Sequence, residues 1–209
     1  MKKIIAFAYE IYSIIKIKMR GYNDYYNFPF DVSLPLNEYA ESVLNEGGAI
    51  LESLGIAYYV CDGTILGIVR DDRLISHDND IDVAVSTEVN IDRLIEAFEN
   101  ISYTVGRCLY YKGKIQQLIF YSKHNVIFDI CFWYPKYDGY YYHYVPEVPK
   151  GRRQHEEYFM QPEFIKFRGR DYPTHPNIKK WLLEHYGEDW QVPKRAKGDW
   201  RLDVKDIVK

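Results

Sequence analysis

The spacing of apolar and polar positions divides the chain into segments of helical and of strand period. Residues 1–20, MKKIIAFAYEIYSIIKIKMR, put Glu10, Ser13, Lys16 and Arg20 on one narrow polar stripe and apolar side chains around the rest of a helix. Such a helix must bury most of its surface. A polar, aromatic linker runs from Gly21 to Pro35. Helical spacing returns with Leu36, Tyr39, Ala40, Val43, Leu44, Ile50, Leu51 and Leu54, and Gly55 fits a C-terminal cap. Gly47 and Gly48 weaken the middle of that helix. IAYYVCDG reads as a buried strand, TILGIVRDD as a short helix, RLISHDND as a loop and IDVAVS as a strand. EVNIDRLIEAFEN is an amphipathic helix. Three strand-like runs follow, SYTVGRCLYY, KIQQLIFYSK and VIFDICFWYP, separated by hairpin turns at Lys112-Gly113 and His124-Asn125. The remainder reads as a tyrosine-rich loop (137–144), a basic loop (PKGRRQHEEYF), a hairpin (FIKFRGRDYP), a helix from near Pro176 to near Gly187, and a basic tail without periodicity.

This order predicts an α+β fold with a mixed sheet flanked by helices. The expected organisation is an N-terminal amphipathic helix and linker over residues 1–35 and one domain over residues 36–209. A chain of 209 residues buries enough surface to fold without a metal or disulfide staple. Aromatics at 17% exclude a disordered chain, and a net charge of −3 argues against a general nucleic-acid binder. The 21 tyrosines suit a surface that meets polar ligands such as sugars. Cys61, Cys108 and Cys131 are odd in number and lack CxxC spacing, so they read as buried thiols in a reducing, cytoplasmic compartment. The first twenty residues resemble a signal peptide in their basic start and apolar run. Glu10 interrupts that run, no small-residue cleavage site follows, and the run is too short to span a bilayer. Packing on the domain is the simpler role for it. Docking to the inner membrane face or to a partner protein is the alternative, supported by Lys2, Lys3, Lys16, Lys18 and Arg20.

Residues 61–85, CDGTILGIVRDDRLISHDNDIDVAV, carry the chemistry. Gly63-Thr64 lies between a strand and a helix, where glycine permits close backbone approach and free N–H groups favour an anion. An ordinary turn has the same residues. Asp80 and Asp82 are one residue apart on a strand, hence on one face with Cα atoms about 6.6 Å apart at ~3.3 Å per residue. Two such carboxylates repel unless a cation lies between them, and hard oxygen donors select Mg²⁺ or Mn²⁺. A solvated acidic turn is the bland reading. Asp129 interrupts the apolar run VIFDICFWYP, where an unpaired charge is costly to bury. It therefore calls for a cation, either an arginine on the next strand or a metal shared with Asp80 and Asp82.

Gly-Thr, then Asp-x-Asp, then a later strand Asp resembles the nucleotidyltransferase-like, polymerase-β type fold. DGTILGIVRDDRLISHDNDIDV is similar to the signature of the LicD family, which includes the fukutin-related proteins, and HYGEDWQVP (185–193) resembles that family's C-terminal Tyr-Gly-x-x-Trp-x-x-Pro motif. Asn79 stands where the family usually has an acid and His77 where it often has Trp; Asp78, Asp80 and Asp82 remain. The resemblance implies a transferase that moves a phospho-alcohol, foremost phosphocholine, from a CDP-linked donor such as CDP-choline to a hydroxyl of a cell-surface glycan or its precursor. It implies a Mg²⁺ or Mn²⁺ site at Asp80, Asp82 and Asp129, with Asp129 also a candidate proton acceptor. Gly63 and Thr64 would then hold phosphate oxygens, Arg70 would face the leaving CMP, and Arg152, in a loop with Lys150 and Arg153, would meet an anionic acceptor; a solvated loop is the bland reading of that stretch. For Arg70 the bland reading is a salt bridge to Asp71 or Asp72. The alternatives in function are a nucleotidyltransferase that uses an NTP and releases pyrophosphate, and a non-catalytic glycan-binding relative.

Overall fold

The computed structural model describes residues 21–27, 34–194, 201 and 204–208. The amphipathic segment 1–20, with its proposed membrane or partner contact, lies outside the described residues. Among the described residues no helix is long and apolar enough to cross a membrane.

The elements in chain order are β1 (Tyr22–Tyr26), α1 (Ala40–Ser53), β2 (Tyr59–Val60), α2 (Asp62–Asp71), β3 (Asp80–Val85), α3 (Ile91–Glu99), β4 (Thr104–Tyr111), β5 (Lys114–Tyr121) and β6 (Ile127–Phe132). They continue with β7 (Tyr134–Pro135), β8 (Tyr140–Val145), β9 (Val148–His155), a 3-10 turn (Glu156–Phe159), β10 (Glu163–Phe167), β11 (Arg170–Thr174) and α4 (Ile178–Tyr186). One mixed sheet has the order β1-β4-β5-β6-β3-β2-β11-β10, and a smaller antiparallel sheet has the order β7-β8-β9. This is the α+β, mixed-sheet architecture expected from the order of elements.

Alternation along β3 and β6 assigns the two faces of the large sheet. The strands are parallel, with Ile81 opposite Phe128, Val83 opposite Ile130 and Val85 opposite Phe132. All six are buried, and α1 and α3 cover this face. Phe98 of α3 stacks on Phe120 with ring centroids 4.1 Å apart and lies 5.5 Å from Phe128. Asn90 caps α3 by accepting the Arg93 N–H at 3.1 Å. Gly55, at φ +69°, follows α1 as its C-terminal glycine.

Gly47 does more than weaken α1. A Cβ built on it would lie 2.3 Å from the Phe128 ring, so its missing side chain lets the helix sit directly on β6. Alanine normally gains up to about 1 kcal/mol over glycine inside a helix. Here overpacking outweighs that gain, and Gly47→Ala is expected to lower stability by about 1–2 kcal/mol and Tm by about 3–8 °C. A melting curve with an unchanged or raised Tm would contradict this packing.

Three segments differ from the sequence expectation. Residues 22–26, read as linker, form the edge strand β1 on β4, because Tyr22 buries against Leu109, Val145 and Val148. The tyrosine-rich loop and the basic loop are largely the hairpin β8–β9, in which Tyr142 faces Arg153 and His143 faces Arg152. The tail without periodicity returns to the domain, since Ile207 bridges Arg152 and the Arg153 N–H donates to the Asp206 carbonyl at 2.9 Å. The three cysteines are free, with Cys61 and Cys131 buried and Cys108 partly so.

Candidate functional site

The face of β3 and β6 opposite α1 carries the acids. The register sets Asp82 directly across from Asp129, and Asp80 precedes Asp82 by one pleat. One carboxylate oxygen from each of the three lies within 4.8 Å of the others. Burial, then the neighbouring acids, pushes the carboxyls of Asp80 and Asp82 well above their usual range. Burial pushes Asp129 up to about 7, against the pull of Gln117 and Arg107. Three crowded carboxylates with only oxygen donors form a set that fits a hard divalent cation.

The strands deliver these groups to a cleft of about 560 Å³, within the size range of small-molecule sites. Asp62 and Gly63 at the start of α2 form one wall, and Arg70 lies further along the same helix. Tyr186, the last residue of α4, and Trp190 beyond it also line the cleft, with Lys205 of the tail. The Tyr-Gly-x-x-Trp segment thus borders the cleft as well as closing the C-terminal helix.

The sequence-derived candidates occupy distinct positions. Asp80, Asp82 and Asp129 come together. Gly63 borders the cleft, and its close contact is with a carboxylate: a Cβ there would lie 2.1 Å from Asp78 Oδ2. Thr64 is buried behind the wall, where its Oγ1 accepts the Asp82 N–H at 2.8 Å and ties α2 to β3. Arg70 lines the cleft and donates through Nε and Nη2 to Asp71 Oδ2 at 2.9 and 2.7 Å. That is the salt bridge anticipated as its bland role.

Arg152 departs furthest from expectation. It lies on β9, 5% exposed, instead of on a solvated loop. Its Nη2 and Nη1 donate to Asp62 Oδ1 and Oδ2 at 2.7 and 3.2 Å, and its Nε donates to Asp206 at 3.0 Å. A buried guanidinium keeps such an exposure only when carboxylates surround it, so these two acids fix its place. His185 of α4 completes the group, with Nε2 2.9 Å from Asp62 Oδ1 and Nδ1 3.4 Å from Asp206 Oδ2. Burial alone would raise the Asp62 carboxyl, but Arg152 and His185 outweigh it and hold Asp62 well below the usual range. Asp62 also takes φ +45°, a left-handed conformation costly for a non-glycine residue, and the Arg152 and His185 contacts hold it there.

Sequence reasoning did not single out Asp62, His185 or Asp206, nor the second group beside Asp129. Gln117 of β5 donates from Nε2 to Asp129 Oδ2 at 2.5 Å, and Arg107 of β4 donates to Gln117 Oε1 at 2.7 Å. Polar residues inside the apolar runs of β4 and β5 were the available signal.

The family model described as the LicD/FKTN/FKRP nucleotidyltransferase domain matches residues 55–177. Over 176 residues the chain is 23% identical to the Homo sapiens ribitol-5-phosphate transferase FKTN, covering 80% of this chain and 36% of that protein. The Mus musculus protein of the same name is 25% identical over the same share. The chain thus spans about a third of the length of these relatives. Among solved structures, the lincosamide antibiotic adenylyltransferase LnuA, lincomycin-bound, matches with a TM-score of 0.50 at 16% identity, over 83% of this chain and 98% of that one, a likeness of fold. The region matched by the family model runs from before β2 to beyond β11 and contains the Gly63-Thr64 turn and all three crowded carboxylates, and the chain belongs to the LicD/FKTN/FKRP family of nucleotidyltransferase-domain proteins.

Proposed function

We propose that this protein transfers a phospho-alcohol from a CDP-linked donor to a hydroxyl of a glycan, with Mg²⁺ or Mn²⁺ held by Asp80, Asp82 and Asp129. The observation that carries this reading is the meeting of those three carboxylates in the cleft. A divalent ion bound there would neutralise diphosphate charge, which is most of what phosphoryl transfer asks of a protein. Gly63 and the start of α2 offer backbone to the phosphates, and Arg70 offers a cation near the nucleotide. Asp129, with its carboxyl pushed up to about 7, is suited to accept the acceptor hydroxyl's proton near neutral pH. Tyr186 and Trp190 supply rings for a sugar or base. Arg152 serves to fix Asp62.

The relatives' name favours ribitol phosphate as cargo, and phosphocholine is the other candidate of the family. The test incubates the protein and Mg²⁺ with a hydroxyl-bearing glycan as acceptor and CDP-ribitol, CDP-choline, CDP-ethanolamine or CDP-glycerol as donor, with ATP and CTP as controls. CMP released from one CDP donor, and absent from an Asp80→Ala/Asp82→Ala double variant, is the expected result. Pyrophosphate released from ATP or CTP would replace this reading with nucleotidyl transfer. A family of CDP donors that neither release CMP nor raise Tm in Mg²⁺ would favour a non-catalytic relative.

A further inference from the structure

One face of the large sheet carries a row of polar side chains across five neighbouring strands. Asp24 on β1 accepts from Arg107 Nε and Nη2 at 2.9 and 2.7 Å. Arg107 on β4 donates from Nη1 to Gln117 Oε1 on β5 at 2.7 Å. Gln117 donates to Asp129 on β6, which lies across from Asp82 on β3. Arg107, Gln117 and Asp129 are each less than 10% exposed, and the Asp24 side chain is 4% exposed.

The chemistry of the row sets its direction. A guanidinium has donors only, so Gln117 must turn its carbonyl oxygen to Arg107 and its NH₂ to Asp129. An NH₂ aimed at Asp129 Oδ2 requires an acceptor there and disfavours a proton on that oxygen. Asp129 Oδ1 meets the weak Cys131 thiol at 3.9 Å among the described residues. The amide therefore fixes the rotation of the carboxylate that faces Asp82. Asp24 in turn holds the guanidinium with two hydrogen bonds in fork geometry.

We propose that Gln117 is the positioning residue of the metal site, and that the Asp24–Arg107 pair sets the polarity of its amide. This rests on the metal-dependent reading above. It also extends the working unit to β1, whose Asp24 lies upstream of the region matched by the family model. A group that orients a metal ligand in this way typically contributes 10–100-fold to affinity for the ion.

The test titrates Mn²⁺ into the full chain and reads free Mn²⁺ by electron paramagnetic resonance, with melting curves in parallel. Gln117→Met keeps the side-chain length without the amide, and about 10-fold weaker Mn²⁺ binding or more is expected. Asp24→Asn leaves one acceptor oxygen at position 24, with Gln117 Oε1 and the Glu147 carboxylate (3.6 Å from Nη2) still facing Arg107, and a smaller weakening is expected. It carries the test should Gln117→Met fail to fold. Added to Asp129→Asn, Gln117→Met should change Mn²⁺ affinity no further, which a merely structural role would not produce. Wild-type affinity in a folded Gln117→Met, with binding weakened in Asp129→Asn, would overturn this positioning role and leave the metal site standing. Absence of Mn²⁺ binding by the wild type would overturn the metal reading and the positioning role with it.

Discussion

Asp82→Asn is expected to abolish transfer while making the metal-free protein more heat-stable. On the proposed metal-dependent reading, losing one of the three carboxylates would remove several kcal/mol of transition-state stabilisation, roughly 10³-fold in rate or more. The stability effect has the opposite sign because the native carboxylates are crowded without a cation. Burial, then Asp80, raises the Asp82 carboxyl far above its unfolded value, and burial raises Asp129 to about 7. A carboxyl whose folded pKa is raised favours folding fully below about pH 4. That contribution is lost as pH rises through the folded value. Metal-free wild type should therefore lose stability towards pH 8, and Asp82→Asn should lose less. The gap in Tm between the two should widen from pH 5 to pH 8 and reach a few °C. Buried, neutral His143 and His175, each held down at about 4, respond to pH in the opposite sense. They are common to both proteins and cancel in the comparison. Mg²⁺ should raise the wild-type Tm and leave the variant's nearly unchanged. A variant that keeps more than a tenth of wild-type turnover, or melts below wild type at pH 8 without metal, would remove Asp82 from the metal site.

The acids of this site were legible because their signal is local. Period-two alternation puts Asp80 and Asp82 on one face, and Asp129 breaks an apolar run; each statement needs only one strand. That the two strands are parallel neighbours with Asp82 facing Asp129 is a fact of topology, and only the resemblance to a known fold suggested it. The partners of these acids were not legible for the same reason. Asp24, Arg107 and Gln117 sit on three further strands, whose order no local pattern fixes. The hairpins at Lys112-Gly113 and His124-Asn125 were visible because their turn residues take positive φ, at Lys112, Gly113 and Asn125. The hairpin β8–β9 was not, because YDGYYYHYVPEVPKGRRQH lacks clean alternation and its basic run looks solvated. Its buried arginine draws on a carboxylate 90 residues earlier and another 54 residues later. The Gly47-Gly48 pair looked like a defect of α1, and Phe128, on a strand far along the chain, explains the first of them.

Arg152→Met should unfold the protein more readily than any change in the metal site. The substitution keeps much of the apolar volume and removes the charge between Asp62 and Asp206. Asp62 would retain His185 at 2.9 Å, and Asp206 would retain the more distant His185 Nδ1 at 3.4 Å and the Gln154 amide at 3.1 Å. One buried imidazole cannot compensate two buried carboxylates as a guanidinium with five donors does. Breaking a buried pair from one side typically costs about 3–5 kcal/mol, because the remaining charge stays desolvated. For a chain of this size that is a fall in Tm on the order of 10 °C. Asp62 would also lose the hold that keeps its backbone at φ +45° and its carboxylate on the cleft wall, so transfer should fall even where the protein remains folded. Adding Asp206→Asn removes one of the stranded charges and should recover part of the lost stability. An arginine that met an anionic acceptor directly would behave differently: Arg152→Met would keep the wild-type Tm, raise KM for the acceptor, and gain nothing from Asp206→Asn. Thermal melting of the single and double variants, with KM measured for whichever donor releases CMP, separates the two roles. The engagement of the buried Arg152 guanidinium by both Asp62 and Asp206 predicts the first outcome.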